Sequence, residues 1–426
     1  MLILAITALL ILMAATIPVA VTLIVLTFIL GFIFSDFPFH LAAGEVLWTN
    51  SENYTLIAIP LFILIGEILV RCGSARKAYS IMDSWLSWLP GGLIHANIGA
   101  SVLFSATSGS SVATAATIST IALPEGRRLG YSEGIFCGAI AAGGTLGILI
   151  PPSISLIIYG IFTETSIPKL FAAGVLPGLL LGGLFVIATI ICSAFKPSIS
   201  GKRARYSWKE RFFGLVMLSP LAFLFLIVVG SIYTGIATPT EAAAVGVVAA
   251  LVIAIAGGSF SVAKFMDALM GSLRTTAMIM LIVLASYFLN FVLSTLGIND
   301  QIEALFNGMS LSPLETLLIV FCIYIVLGLF IETLSLMVIT LPVLAPIIFA
   351  QGFDKVWFGV VVIVLIEMAL ITPPVGLNLY VVQGARQRGS IMEVVIGSIP
   401  YVLAMLVLLF LLILYPQIAL YLPNKV

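Results

Sequence analysis

Apolar positions in this chain are gathered into long unbroken runs, among them Leu2–Phe34, Phe212–Val229, Val245–Ala256 and Tyr401–Tyr415. A membrane β-strand needs only about 9–11 residues and alternates apolar with polar side chains. These runs are longer and do not alternate. Only helices and closed barrels satisfy every backbone group in lipid, so the pattern predicts an all-α polytopic membrane protein. In the first half, apolar segments fall at 2–15, 18–34 and 54–70. An amphipathic connector carrying Arg76, Lys77, Asp83 and Trp85 follows, then a hydroxyl-rich segment at 97–123, a proline-interrupted segment at 134–162 and a helix at 170–195. The second half reads 212–233, 239–258, 274–296, 312–350, a second interrupted segment at 356–383, and 391–416. As one helix, Leu2–Phe34 would be about 50 Å long against a hydrocarbon core of about 30 Å, so a break is expected at Thr16-Ile17-Pro18.

The two halves echo each other at an offset of about 222 residues. Pro18 aligns with Pro239, Pro151-Pro152 with Pro373-Pro374, and Pro177 with Pro400, while Gly174 aligns with Gly397. Residues 1–196 are expected to form a first repeat, 197–211 a basic linker and 212–426 a second repeat. If 97–123 and 312–350 are re-entrant helical hairpins, each half crosses the membrane five times. An odd number of crossings inverts the second half.

Charge tests this topology. The linker Lys196–Arg211 holds six of the 18 basic residues and should face the cytoplasm. That choice leaves only Lys169, Lys355 and Lys425 on the opposite side, which favours inverted repeats with both termini periplasmic. Composition agrees with a membrane chain: 62% hydrophobic, 8% charged, mean hydropathy +1.26. Zero net charge gives no sign of nucleic-acid binding. The N-terminus lacks a basic region ahead of its apolar run, so no cleavable signal peptide is expected. Cys72, Cys137, Cys192 and Cys322 are isolated and lack metal or redox spacing.

Inverted repeats with interrupted helices point to secondary transport. At Gly144-Thr145-Leu146-Gly147-Ile148-Leu149-Ile150-Pro151-Pro152, the prolines remove two amide donors and open the helix. Thr145 offers a hydroxyl there; its counterparts in the second half are Glu367 and, nearer the break, Thr372. In Phe104–Thr114, six of eleven residues carry hydroxyls around Gly109. Such a run either packs helices through small residues or forms a hairpin tip whose oxygens hold Na⁺. The equivalent tip in the second half is Gly328–Ser335, with Glu332, Thr333 and Ser335. Intramembrane carboxylates are functional candidates, which singles out Glu67, Glu241 and Glu367. Glu241, in Thr238-Pro239-Thr240-Glu241, also fits a helix cap. Asn97, Asn290 and Asn378 are interhelical hydrogen bonders or site residues, and Thr114, Glu241 and Asn378 stand as substrate-contacting or structural.

The chain resembles the large membrane subunit of TRAP (tripartite ATP-independent periplasmic) transporters, within the ion-transporter superfamily. The resemblance rests on Ile57–Phe62 with Gly66-Glu67, Ser108–Ser111, Ile150–Ser153, Gly235–Ala242 and Ile371–Gly376. It implies work with a small four-helix membrane subunit and a periplasmic substrate-binding protein in the bacterial inner membrane. It further implies Na⁺-driven import of an organic acid, such as a C4-dicarboxylate or sialic acid, with no other cofactor and no enzymatic step. By the same resemblance, hairpins and broken helices form a transport domain moving elevator-like against a scaffold. A first sodium site would draw on Ser105, Ser108, Gly109, Ser110, Thr145 and Pro151. A second would draw on Glu332, Thr333, Glu367, Thr372 and Pro373; the family often has Asp where Glu332 stands. No phosphate-binding GxxxxGK[ST] motif occurs, in keeping with gradient-driven transport.

Two other readings compete. A standalone sodium/carboxylate symporter of the same superfamily would need no binding protein. An ion-pumping subunit of a redox complex would need mid-membrane Lys, His and Glu in series, whereas the lysines here lie in loops or at segment ends.

Overall fold

The computed structural model describes residues 2–202, 206–309 and 311–425. Among them every regular element is helical. The first half holds α1 (Leu2–Ala14), α2 (Val19–Phe34), α3 (Phe39–Ser51), α4 (Ala58–Arg71), α5 (Ser74–Leu86), α6 (Leu93–Ser108), α7 (Ser111–Leu129), α8 (Glu133–Leu149), α9 (Ile154–Thr163) and α10 (Ile167–Phe195). The second holds α11 (Trp208–Tyr233), α12 (Pro239–Ala256), α13 (Val262–Thr295), α14 (Ile298–Gly308), α15 (Pro313–Gly328), α16 (Thr333–Ala350), α17 (Lys355–Ala369), α18 (Leu377–Arg386), α19 (Ile391–Leu414) and a single turn, α20 (Gln417–Leu420).

Local chemistry accounts for the boundaries. Thr16 takes a positive φ of 59° and Pro18 precedes the first turn of α2, which divides Leu2–Phe34 where expected. Capping boxes open α11 (Ser207 with Glu210), α12 (Thr238 with Glu241) and α15 (Ser312 with Glu315). In each, hydroxyl and carboxylate satisfy amides that the helix leaves free. Gly130, at φ 76°, ends α7 in the left-handed region, which glycine enters without a Cβ penalty.

Among the described residues, seven helices are long and apolar enough to cross a membrane, and α8 with α9, bent by 45°, makes an eighth. Ten crossings were expected. The shortfall lies in α1 and α2, of 13 and 16 residues, which at 1.5 Å per residue fall short of a core of about 30 Å. The separation of α17 from α18 contributes too. Length and composition also place α16 among the spanning helices, whereas the sequence reading made it the returning arm of a hairpin. Helices α3 and α14 were not foreseen, and α13 starts at Val262 rather than near residue 274.

Packing sorts the helices into two groups. α13 lies against α2, α3 and α4, and α12 against α4 and α11. The other group centres on α8, which touches α6, α7, α18 and α19, with α10 and α17 alongside. The two halves of the chain interleave within it. A Cβ on Gly138 of α8 would overlap the Gly397 carbonyl of α19, and one on Gly397 would overlap the carbonyl of Gly134. At one end of this crossing Glu133 pairs with Arg127, Arg386 and Arg388, and Arg386 also pairs with Glu393. The linker is anchored by Tyr206, whose hydroxyl donates to Asp83, and by Trp85, whose Nε1 donates to the Arg211 carbonyl at 3.1 Å. Linker residues 203–205 lie outside the described residues.

Candidate functional site

Four interruptions of helix come together around one cavity. α6 and α7 join through Gly109, at φ 60°, and Ser110, whose hydroxyl caps α7. Between α8 and α9 the chain runs extended through Ile150, passes the cis Pro151-Pro152 bond, and resumes where Ser153 caps α9. α15 turns into α16 at Glu332, whose carboxylate accepts from the amides of Leu334 and Ser335 and from the Ser335 hydroxyl, at 3.3, 3.0 and 2.8 Å. α17 gives way to α18 through Thr372, the cis Pro373-Pro374 bond and Gly376 at φ 60°.

Glu367 binds these parts together. It lies on α17 with 1% of its surface exposed. One carboxylate oxygen accepts from the Thr333 hydroxyl at 3.0 Å, and the other accepts from the Ser111 hydroxyl. Thr333 opens α16 and Ser111 opens α7, so a single buried acid is gripped by the first turns of two helices, one from each half of the chain. Ser111 and Thr333 stand at the 222-residue offset, as do Thr145 and Glu367.

The remaining expected ligands distribute unevenly around this point. Gly109 and Ser110 line a cavity of about 500 Å³, together with Ser111, Glu332 and Thr333. Its far wall is α4, with Glu67, and α13, with Thr275. Thr145 is buried, but its hydroxyl donates within α8 to the Ala142 carbonyl at 2.6 Å. Thr372 likewise donates to the Met368 carbonyl, at 2.7 Å. Pro151 is buried at the first break, while Pro373 is exposed at the second. The side chains of Ser105 and Ser108 lie outside the described residues.

Thr114 is fully buried one turn into α7. Asn378 is buried on α18 and donates to the Ala141 carbonyl of α8 at 3.1 Å. Glu241 is exposed and closes the capping box of α12, which is the structural of its two roles. His95, also buried, contacts the Pro90 carbonyl at 2.6 Å through its ring nitrogen.

Sequence reasoning did not include Ser111 among the ligands, although Ser111 sits in the hydroxyl-rich tip. The signal was available, since the offset that pairs the proline breaks also pairs Ser111 with Thr333. Nothing in the sequence identified α13 as the opposite wall of the cavity.

Residues 5–418 match the family model described as "Tripartite ATP-independent periplasmic transporter, DctM component". The C4-dicarboxylate TRAP transporter large permease protein DctM of Pseudomonas aeruginosa is 35% identical over 384 residues, covering 89% of this chain and 88% of that protein. The sialic acid TRAP transporter large permease protein SiaM of Vibrio cholerae is 33% identical over 390 residues, with 90% and 89% covered. The isethionate TRAP transporter permease protein DctMQ of Oleidesulfovibrio alaskensis is 31% identical over 377 residues, covering 86% of this chain and 58% of that protein. Among solved structures, the YdaH transporter of Alcanivorax borkumensis shares the fold, with a TM-score of 0.68 at 16% identity over 97% of this chain and 99% of that one. With most of its length matched by this family, the chain belongs to the DctM component of tripartite ATP-independent periplasmic transporters, as a multi-span membrane permease.

Proposed function

We propose that this chain is the large membrane subunit of a Na⁺-coupled, binding-protein-dependent importer of an organic acid across the bacterial inner membrane. One observation carries the reading: Glu367 accepts a hydroxyl from each hairpin beside a cavity that both hairpins line. A buried carboxylate among hydroxyls is an oxygen-rich setting of the kind a hard cation prefers. Na⁺ at this point would draw on Glu367, Thr333 and Ser111, near Glu332, Thr372 and Pro373. A second Na⁺ would draw on the first tip and first break, at Ser105, Ser108, Gly109, Ser110, Thr145 and Pro151. Hairpins that share one acid respond together to its occupancy, which suits a body that loads ions and substrate and then moves as a unit. The two packing groups support an elevator motion of the α8-centred group along α4 and α13. The 222-residue offset within the site supports internal repeats, and the concentration of Lys and Arg on the linker's side of the chain supports their inversion with both termini periplasmic.

The substrate class follows from relatives named for C4-dicarboxylates, sialic acid and isethionate, all organic anions. The proposed partners are a small four-helix membrane subunit and a periplasmic binding protein. To test the reading, the chain is reconstituted with both partners, and uptake of labelled succinate, N-acetylneuraminate and isethionate is followed with and without a Na⁺ gradient. At least one acid should accumulate only with the gradient. Uptake of that acid at equal rates under both conditions would overturn the coupling.

A further inference from the structure

The cavity beside Glu367 poses an electrostatic problem for an anionic substrate. Its lining holds two carboxylates, Glu67 and Glu332, and no Lys, Arg or His. Glu332 is committed to capping α16. An organic acid placed among these groups meets repulsion from Glu67 unless a cation is at hand, because charges interact strongly away from bulk water.

One cation is in place. Arg71 follows Glu67 by one turn on α4, and its guanidinium pairs with the Glu67 carboxylate. The pair lies over Gly271 of α13: a Cβ there would come within 2.9 Å of a Glu67 carboxylate oxygen and 3.1 Å of Arg71 Nη2. Thr275, one turn further along α13, lines the cavity. The missing side chain leaves room for the pair, with Glu67 on the cavity wall and Arg71 directly behind it, bordering a separate small pocket with Phe260 and Lys264. Glu67 and Arg71 remain 27% and 29% exposed, so neither is sealed in. A guanidinium has five N–H donors, and among the described residues the acceptors of Arg71 all belong to Glu67. Arg386, by contrast, is 4% exposed and held by Glu133, Glu393 and the Ser390 carbonyl.

We infer that Arg71 is a carboxylate- or sulfonate-binding residue for the transported organic acid, and that Glu67 occupies it between substrates. This rests on the organic-acid reading above. The arriving anion displaces Glu67 from the guanidinium, whose planar fork suits bidentate binding of carboxylate. Glu67 then turns away from the guanidinium. Arg71 is thereby paired with an anion both before and after the substrate arrives, so no cation is left without a partner.

The test is a binding measurement on the detergent-solubilised full chain, independent of transport. Thermal unfolding is followed with succinate, N-acetylneuraminate or isethionate, since a ligand that binds only the folded state raises the unfolding temperature. At least one of these anions should stabilise the unaltered protein. Arg71→Gln should weaken its binding by about tenfold or more, as expected for loss of a charged hydrogen bond. Arg71→Lys should retain part of the binding, and Glu67→Gln should tighten it by freeing the guanidinium. The exposed Arg274, next to Thr275 on α13, provides a control, and Arg274→Gln should bind as the unaltered chain does. A purely structural ion pair would instead weaken binding equally in Glu67→Gln and Arg71→Gln. That result, an unchanged Arg71→Gln, or three anions without effect on the unaltered chain would overturn the inference. If Arg71→Gln does not fold, the opposite directions expected for Arg71→Lys and Glu67→Gln still decide. Anion binding through Arg71 with uptake indifferent to Na⁺ would remove the coupling reading and leave this one standing.

Discussion

Glu367 is where the chemistry of single residues matters most. Its two carboxylate oxygens are shared between Ser111 and Thr333, at the starts of α7 and α16. A net intramolecular hydrogen bond contributes about 0.5–1.5 kcal/mol, and loss of one donor leaves a buried oxygen short of a partner at a cost of about 1–3 kcal/mol. Ser111→Ala and Thr333→Val are each expected to lower stability by about 1–3 kcal/mol. Because they share one acceptor, the double variant should depart from the sum of the singles. Thermal unfolding in detergent, with a Na⁺ titration on each variant, reads both effects. Glu367→Gln should abolish stabilisation by Na⁺; a full Na⁺ response in that variant would remove Glu367 from the ion site. By comparison, Thr145 and Thr372 spend their hydroxyls on their own helices, a placement that residue type alone does not reveal.

At the scale of elements, proline and glycine gave the clearest signals. The division of α1 from α2, the two Pro-Pro breaks and the caps of α12 and α15 all lie where turn and cap chemistry put them. Helices α3 and α14 were illegible for the opposite reason. Each is short and polar enough to fall below the apolar run that a spanning helix requires. The start of α13 carries Lys264, Asp267 and Arg274, so its first turns read as loop. The connector α5 showed its amphipathic pattern, but the destination of its acid was hidden. Asp83 is 6% exposed, and burial holds its carboxyl above the ordinary 3.8, while the hydrogen bond from Tyr206 opposes the rise. Glu125 adds to the rise and Arg128 counters it.

A carboxyl raised on folding contributes its full stability below its unfolded pKa and loses it as pH climbs through the folded value. Asp83→Asn keeps an acceptor for Tyr206 and removes the titration. Relative to the unaltered chain, its unfolding temperature should therefore rise more at about pH 7 than at about pH 4. A difference independent of pH would mean that Asp83 ionises in the folded protein as it does in the unfolded chain.

For the molecule as a whole, the defining feature is the crossing of α8 with α19, which joins the two halves of the chain. Small residues let membrane helices approach backbone to backbone, and Gly134, Gly138 and Gly397 do so here. Gly138→Ala forces a Cβ into the Gly397 carbonyl and should sharply reduce folded yield and unfolding temperature. Gly183→Ala on α10, with nothing within 4 Å of the added Cβ, should be neutral or gain up to about 1 kcal/mol from helix propensity. Equal behaviour of the two variants in size-exclusion and thermal assays would show that the close crossing is not required.

Alone, the sequence determined the membrane class, the helical architecture, the two Pro-Pro breaks and the helix breaks at Gly109 and Glu332, since hydropathy, proline and glycine act on the backbone that carries them. Tertiary structure alone decided that Ser111 reaches Glu367 across 256 residues, that Glu332 is occupied in capping, and that α4 and α13 close the cavity. Those outcomes depend on how helices from two halves of the chain interleave, and contacts between distant segments leave no periodicity in either one.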